Sequence, residues 1–218
     1  MNRMTIWTLI TVLELLIAIV VVVRDLFLPT IVILALAAIS LLIRRQGPSS
    51  LGFKRPASWG RMALTVLLTV LALNLLELGL VMPVLNRLTG THQDVSQFAN
   101  LKGNLPELLM YLALTWSLAA FGEEMVYRGY LQRRLMDLFG TQALATCLAI
   151  GLTSLLFGLA HTEQGIIGVA LTTLDAVVFS LLKKRFDGNL WASILAHGFS
   201  NSIGLIAFFF AGPIYGLW

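Results

Sequence analysis

The chain has 218 residues, 58% of them hydrophobic and only 12% charged, with a mean hydropathy of +0.86. Soluble domains carry about 25% charged residues, so this composition excludes a soluble globular domain. The formal net charge of +4 invites a nucleic-acid reading, but the charges fall between apolar runs and point to a polytopic membrane protein with no nucleic-acid partner.

In chain order, apolar runs at residues 4–23, 26–43, 62–85, 105–121 and beyond, 143–160, 166–182 and 190–210 each predict a membrane helix. At about 20 residues per crossing they make an all-α transmembrane bundle of about seven spans. Arg3 before the first run resembles a secretion signal. The apolar core is too long for one, Glu14 interrupts it, and Arg24-Asp25-Leu26 offers no small-residue cleavage site, so it reads as a retained helix. The segment 46–61, with Gly47-Pro48-Ser49-Ser50 and Lys54-Arg55-Pro56, reads as a basic anchoring loop whose Trp59 rests at headgroup level. The connection 86–106 reads as polar and irregular, with His92 on its surface. The fourth helix is expected to continue through Tyr130 and Arg133 to Phe139 and to end near Gly140. Cys147 has no disulfide partner and reads as a small core residue. Tyr215 and Trp218 read as an interface anchor.

A cytoplasmic N-terminus places twelve of the fifteen lysines and arginines on one side, leaving only Arg24, Arg87 and Lys102 on the other. The expected organisation is a single membrane domain over 1–218, with N-terminal spans and a loop to residue 104 and a core of helices over 105–211.

Three polar clusters interrupt the apolar second half: Glu123-Glu124-x-x-x-Arg128, Phe157-x-x-x-His161 and His197-x-x-x-Asn201. Ionisable groups at membrane depth cost roughly 2.5 kcal/mol or more, so three clusters suggest a functional interior. The four-residue spacing lets Arg128 neutralise Glu124, which leaves Glu123 as candidate general base. Measured along antiparallel helices from the Gly140 turn, Glu123 and His161 reach similar heights. The histidines and Asn201 could serve as metal ligands or as hydrogen-bond donors to an oxyanion. Phe157 can fix the His161 ring and is the candidate substrate-binding side chain. Glu14, Glu77 and Asp175 are further intramembrane acids outside these motifs and read as structural hydrogen bonding or a water-filled wall.

The three motifs, in this order on late membrane helices, resemble the signature of the CPBP intramembrane proteases. That group includes type II CAAX prenyl endopeptidases and bacterial bacteriocin-processing and immunity proteins. The resemblance covers about 105–210, and Leu51-Gly52-Phe53 ahead of the basic loop adds to it. It implies an endopeptidase in which Glu123 activates water, Glu124 and Arg128 support it, and His161, His197 and Asn201 complete the site. A divalent metal such as zinc, held by Glu123, His161 and His197, is one version. A cofactor-free version uses histidine and asparagine as an oxyanion hole, and Asn201 as a poor zinc ligand favours it. The expected partners are a membrane-associated peptide or protein substrate, cut at or within the cytoplasmic half, and the lipid bilayer. The short chain and compact loops suggest a bacterial inner-membrane location, where prenylated proteins are not the expected substrate, so that of CAAX-type and bacteriocin-type processing the second, as peptide maturation or self-protection, is expected. The alternative is a non-catalytic membrane regulator or scaffold; a transporter ranks last, with no inverted repeat visible.

Overall fold

The computed structural model describes residues 3–213, so the Tyr215 and Trp218 anchor lies outside the described residues. Among the described residues all regular structure is helical. Helices α1 (Arg3–Val23), α2 (Pro29–Arg44) and α3 (Trp59–Leu76) are followed by a wide π turn at Glu77–Val81 and by α4 (Met82–Thr89). The fourth long helix starts as α5 (Leu105–Leu114), widens to π geometry over Thr115–Glu123 and Met125–Leu131, and returns to α6 (Gln132–Phe139). Then come α7 (Ala143–Leu159), α8 (Gly165–Arg185) and α9 (Leu190–Ala211).

Five helical stretches are long and apolar enough to cross a membrane: Met4–Val23, Trp59–Thr89, Leu105–Phe139, Thr162–Arg185 and Leu190–Ala211. The shorter apolar helices α2 and α7, of 16 and 17 residues, complete the seven segments read from sequence. Within the most apolar windows of the five, only 22–39% of residues are buried inside the protein. The remaining apolar surface is therefore left for lipid, and the protein is an integral membrane bundle.

Helix ends follow local chemistry. Ser58 accepts from the Arg61 N–H at the start of α3, and Asn189 accepts from Trp191 N–H at the start of α9. Asn104 accepts from Glu107 N–H while donating to the Glu107 carboxylate, a reciprocal cap that fixes where the fourth helix begins. Gly140 ends that helix at φ +90°, as the sequence predicts.

Helix α9 packs against α3, α8 and the first π segment, so residues on several of its faces are interior. The basic loop is a docked element as well as a charged connection. Leu51 is buried against Gly129, Leu190 N–H donates to Gly52 O, and Lys54 Nζ donates to Asp187 O at 2.7 Å. Gly52 has φ +102°, and a Cβ there would stand 2.5 Å from the Gly188 carbonyl oxygen, so only glycine fits. Trp59 is exposed at the start of α3 and meets Trp191 edge-on at 5.7 Å, joining the loop to the base of α9.

Two expectations change. Cys147 is exposed on α7 rather than packed in the core, because that helix buries only the face turned to its neighbours. Arg44 and Arg134, counted from sequence among the cytoplasmic charges, both reach Glu14, at 3.0 and 3.4 Å; Arg134 is buried and Arg44 partly so. Arg134 also hydrogen-bonds Gln46 and Asp137, and Arg44 bonds Thr11 at 2.8 Å. This cluster ties α1, α2 and α6 together and gives Glu14 a structural pairing.

Candidate active site

The site is built on the widened helix. A π turn carries i→i+5 hydrogen bonds and is rare outside functional segments. Within it Glu124 is fully buried and Arg128 is 1% exposed, their charged atoms 3.0 Å apart. Arg128 lies 4.4 Å over the Phe157 ring and within 6 Å of Phe179 and Tyr127, an aromatic cage that stabilises a desolvated cation by roughly 2 kcal/mol or more. Lys183 Nζ reaches in from α8 and donates to the Arg128 carbonyl oxygen.

His197, on α9, stacks on Phe179 at 5.5 Å and is hydrogen-bonded through Nδ1 to Glu124 Oε1 at 2.9 Å. Glu124 is therefore held by an arginine and a histidine at once. Gly198 leaves room for Trp116, whose ring would lie 2.5 Å from a Cβ at that position. His161, just past α7, bonds through Nδ1 to the Phe157 carbonyl oxygen at 2.8 Å, and its ring lies 4.7 Å from the Phe157 ring. Phe157 itself is only 2% exposed. It clasps Arg128 and His161 and offers a substrate little area.

A carbonyl oxygen only accepts, and so does an ionised carboxylate. Both imidazoles consequently use Nδ1 as the donor, and Nε2 is the nitrogen each leaves for the cavity. On a neutral ring Nε2 accepts a hydrogen bond. The expectation that neutral histidines donate to an oxyanion is thus met at neither ring, and the Asn201 amide is the neutral donor in the set.

Glu123 is half-buried and, among the described residues, has no hydrogen bond or ion pair; its Oε2 is buried without a partner. Glu123, His161, His197 and Asn201 line one cavity of about 490 Å³, within the usual range for a ligand site. The cavity runs outward to Gln93 and Phe98 in the loop after α4, where Gln93 donates to Gln164 at 2.8 Å. The structure thus brings five candidates, Glu123, Phe157, His161, His197 and Asn201, to the cavity wall and sets Glu124 and Arg128 behind them. Glu77 and Asp175 also line this cavity, which local spacing did not reveal. Lys183 was legible only as a charge at a helix end.

Glu123, His161 and His197 share the cavity, yet among the described residues no group of three His, Cys, Asp or Glu side chains stands close enough to hold a metal ion. The set does not fit the three-ligand zinc site considered from sequence, and no step below runs through a metal.

A helical membrane bundle with paired carboxylates, a caged arginine and two imidazoles around an internal cavity has the build of a membrane-embedded enzyme. Residues 105–203, just under half of the chain, match the family model described as "Type II CAAX prenyl endopeptidase Rce1-like". That stretch holds all three motifs, and over it the chain resembles the CPBP/CAAX proteases, a family of membrane proteases. The chain matches no curated protein and no solved structure.

Proposed function

We propose that the protein hydrolyses a peptide bond inside the membrane with water activated by Glu123. The observation that carries this reading is the unequal pairing of the two adjacent glutamates: Glu124 is engaged by Arg128 and His197, whereas Glu123 faces the cavity unpaired. Glu123 takes a proton from water as the oxygen attacks the scissile carbonyl carbon. The water's second O–H is accepted and oriented by the Nε2 of one of the two imidazoles, His161 or His197, both within electrostatic reach of Glu123. The Asn201 amide donates to the developing oxyanion. Collapse breaks the C–N bond, and the proton on Glu123 passes to the leaving nitrogen, which returns the carboxylate. Arg128 and the His197 Nδ1–H hold the Glu124 carboxylate in place behind the site.

The lysine and arginine bias supports a cytoplasmic N-terminus. With that orientation the loop following α4 lies on the outer side. Because the cavity reaches this loop, substrate entry falls on that side. The compact loops favour a bacterial inner membrane and, with prenylated substrates not expected there, peptide maturation of bacteriocin type as the reaction served.

The test compares purified protein and its Glu123→Gln variant in lipid nanodiscs, each given membrane peptides and read by mass spectrometry, with and without chelator. Cleavage by the starting protein alone, unaffected by chelator, is expected. Equal cleavage by the variant removes the proposed base.

A further inference from the structure

Outside the three motifs, the wall of the cavity carries an unneutralised acidic patch. The charged residues on that wall are Glu77, Glu123, Glu163 and Asp175; no lysine or arginine lines it, although the chain as a whole carries +4. Glu77 and Asp175 come from different helices, the π turn after α3 and the middle of α8, and interact electrostatically across the space between them. Neither has a hydrogen bond or ion pair among the described residues. Glu77 is 8% exposed, and its Oε1 is buried without a partner, as is Asp175 Oδ1. Beside them Asn74 uses its amide N–H groups on Val70 O and Ser200 Oγ, at 3.0 and 3.1 Å, which leaves its carbonyl oxygen as an acceptor.

When both acids are ionised the patch only accepts, and in a largely apolar wall it then requires donors. Other acids in this protein have been given a cation: Glu14 has two arginines, and Glu124 has Arg128. Glu77 and Asp175 have none, and they lie in the space that opens onto Glu123. A metal ion is the poorer occupant, because no third His, Cys, Asp or Glu among the described residues joins the pair. A lysine ammonium is compact, carries three N–H donors and no acceptor, and suits three oxygens.

We propose that Glu77 and Asp175, with Asn74, form a specificity subsite that receives a basic side chain, lysine foremost, of the peptide substrate near the bond to be cut. This rests on the peptidase reading above and adds the substrate class to it. The wide turn at Glu77 has the same geometry as the widened catalytic helix, so both walls of the cavity depart from α geometry where a carboxylate enters it.

The experiment measures binding, so that it stands apart from cleavage. The Glu123→Gln protein in neutral-lipid nanodiscs is titrated with two fluorescent nonapeptide pools of mixed sequence, one with an invariant central lysine and one with norleucine there. The lysine pool is expected to bind at least about tenfold more tightly, since a desolvated charge left unpaired is strongly disfavoured. In the Glu77→Gln/Asp175→Asn background the ratio is expected to fall to about one. If that double variant does not fold, Glu77→Gln alone carries the comparison, with a reduced ratio expected. Equal binding of the two pools, or an undiminished lysine preference in the variants, overturns the proposal. If magnesium ions raise the unfolding temperature of the protein but not of the variants while the pools bind alike, the pair is an inorganic-cation site and the proposal is likewise overturned. A protein that cuts peptides without lysine preference fails only the subsite; one that binds lysine peptides but never cuts any with Glu123 present fails only the peptidase reading.

Discussion

Arg128 and Arg134 stand six positions apart on one helix, both nearly inaccessible, and their surroundings differ in kind. Arg134 donates from both terminal nitrogens, to Asp137 and to Gln46, and shares Glu14 with Arg44. Arg128 is caged by aromatic rings, its two terminal nitrogens make no hydrogen bond of good geometry, and its partner Glu124 also holds a histidine. One cluster draws on three helices and faces no cavity, leaving on Arg134 only Nε, 3.4 Å from Glu14, without a hydrogen bond of good geometry. The other leaves Glu123, Glu124 and Arg128 atoms unsatisfied beside a cavity, which is costly unless something is to be done there. The lesson is that burial of charge does not by itself mark a catalytic centre; incomplete pairing next to open space is the stronger sign.

Mutations can break or sharpen this contrast. The largest effect is expected for Glu123→Gln, a loss of cleavage of about 10²- to 10⁴-fold with an unchanged unfolding midpoint in detergent. A midpoint that falls with activity would merge the two clusters into one structural role. Arg134→Met should do the reverse: it leaves Glu14 short of a partner and costs about 3–5 kcal/mol of stability, measured by denaturant unfolding in mixed micelles. Gly198→Ala tests the border between them, since its Cβ would meet the Trp116 ring beside His197. Overpacking of about 1–3 kcal/mol is expected there, with reduced cleavage in the fraction that stays folded. The smallest effect belongs to Arg133→Ala. Its ion pair with Asp137 is 46% exposed on the arginine side, so a loss of about 1 kcal/mol or less is expected, and a larger one would mean that Asp137 is needed to hold Arg134.

Much of the bundle was legible because an apolar run of spanning length has few alternatives in lipid. The seven segments lie within a few residues of the observed helices, and the fourth ends at Phe139 as expected. The three motifs were also legible, and the Glu124–Arg128 contact follows from their four-residue spacing. Their relation to Glu77 and Asp175 was not, since no local pattern tells which polar residues of separate helices share a cavity. The same reason hid the Glu14 cluster: Arg44 and Arg134 sit beside chain segments rich in lysine and arginine, and only tertiary packing turns them inward. The docking of Leu51 and Gly52 depended on a turn geometry that a Gly-Phe pair does not announce. Widened turns escape sequence reading because their apolar period differs little from that of an α-helix.

Those widened turns give the fourth helix an unusual sensitivity to length. A single-residue deletion within 115–131 that left the remaining winding unchanged would shift the phase of everything after it. Every side chain beyond the deletion would then rotate by about 100° about the helix axis. The chain would still insert and fold, yet the carboxylates and the cage around Arg128 would no longer face the partners they meet now. Point substitutions test single groups, whereas such a deletion tests the phase of the whole helix.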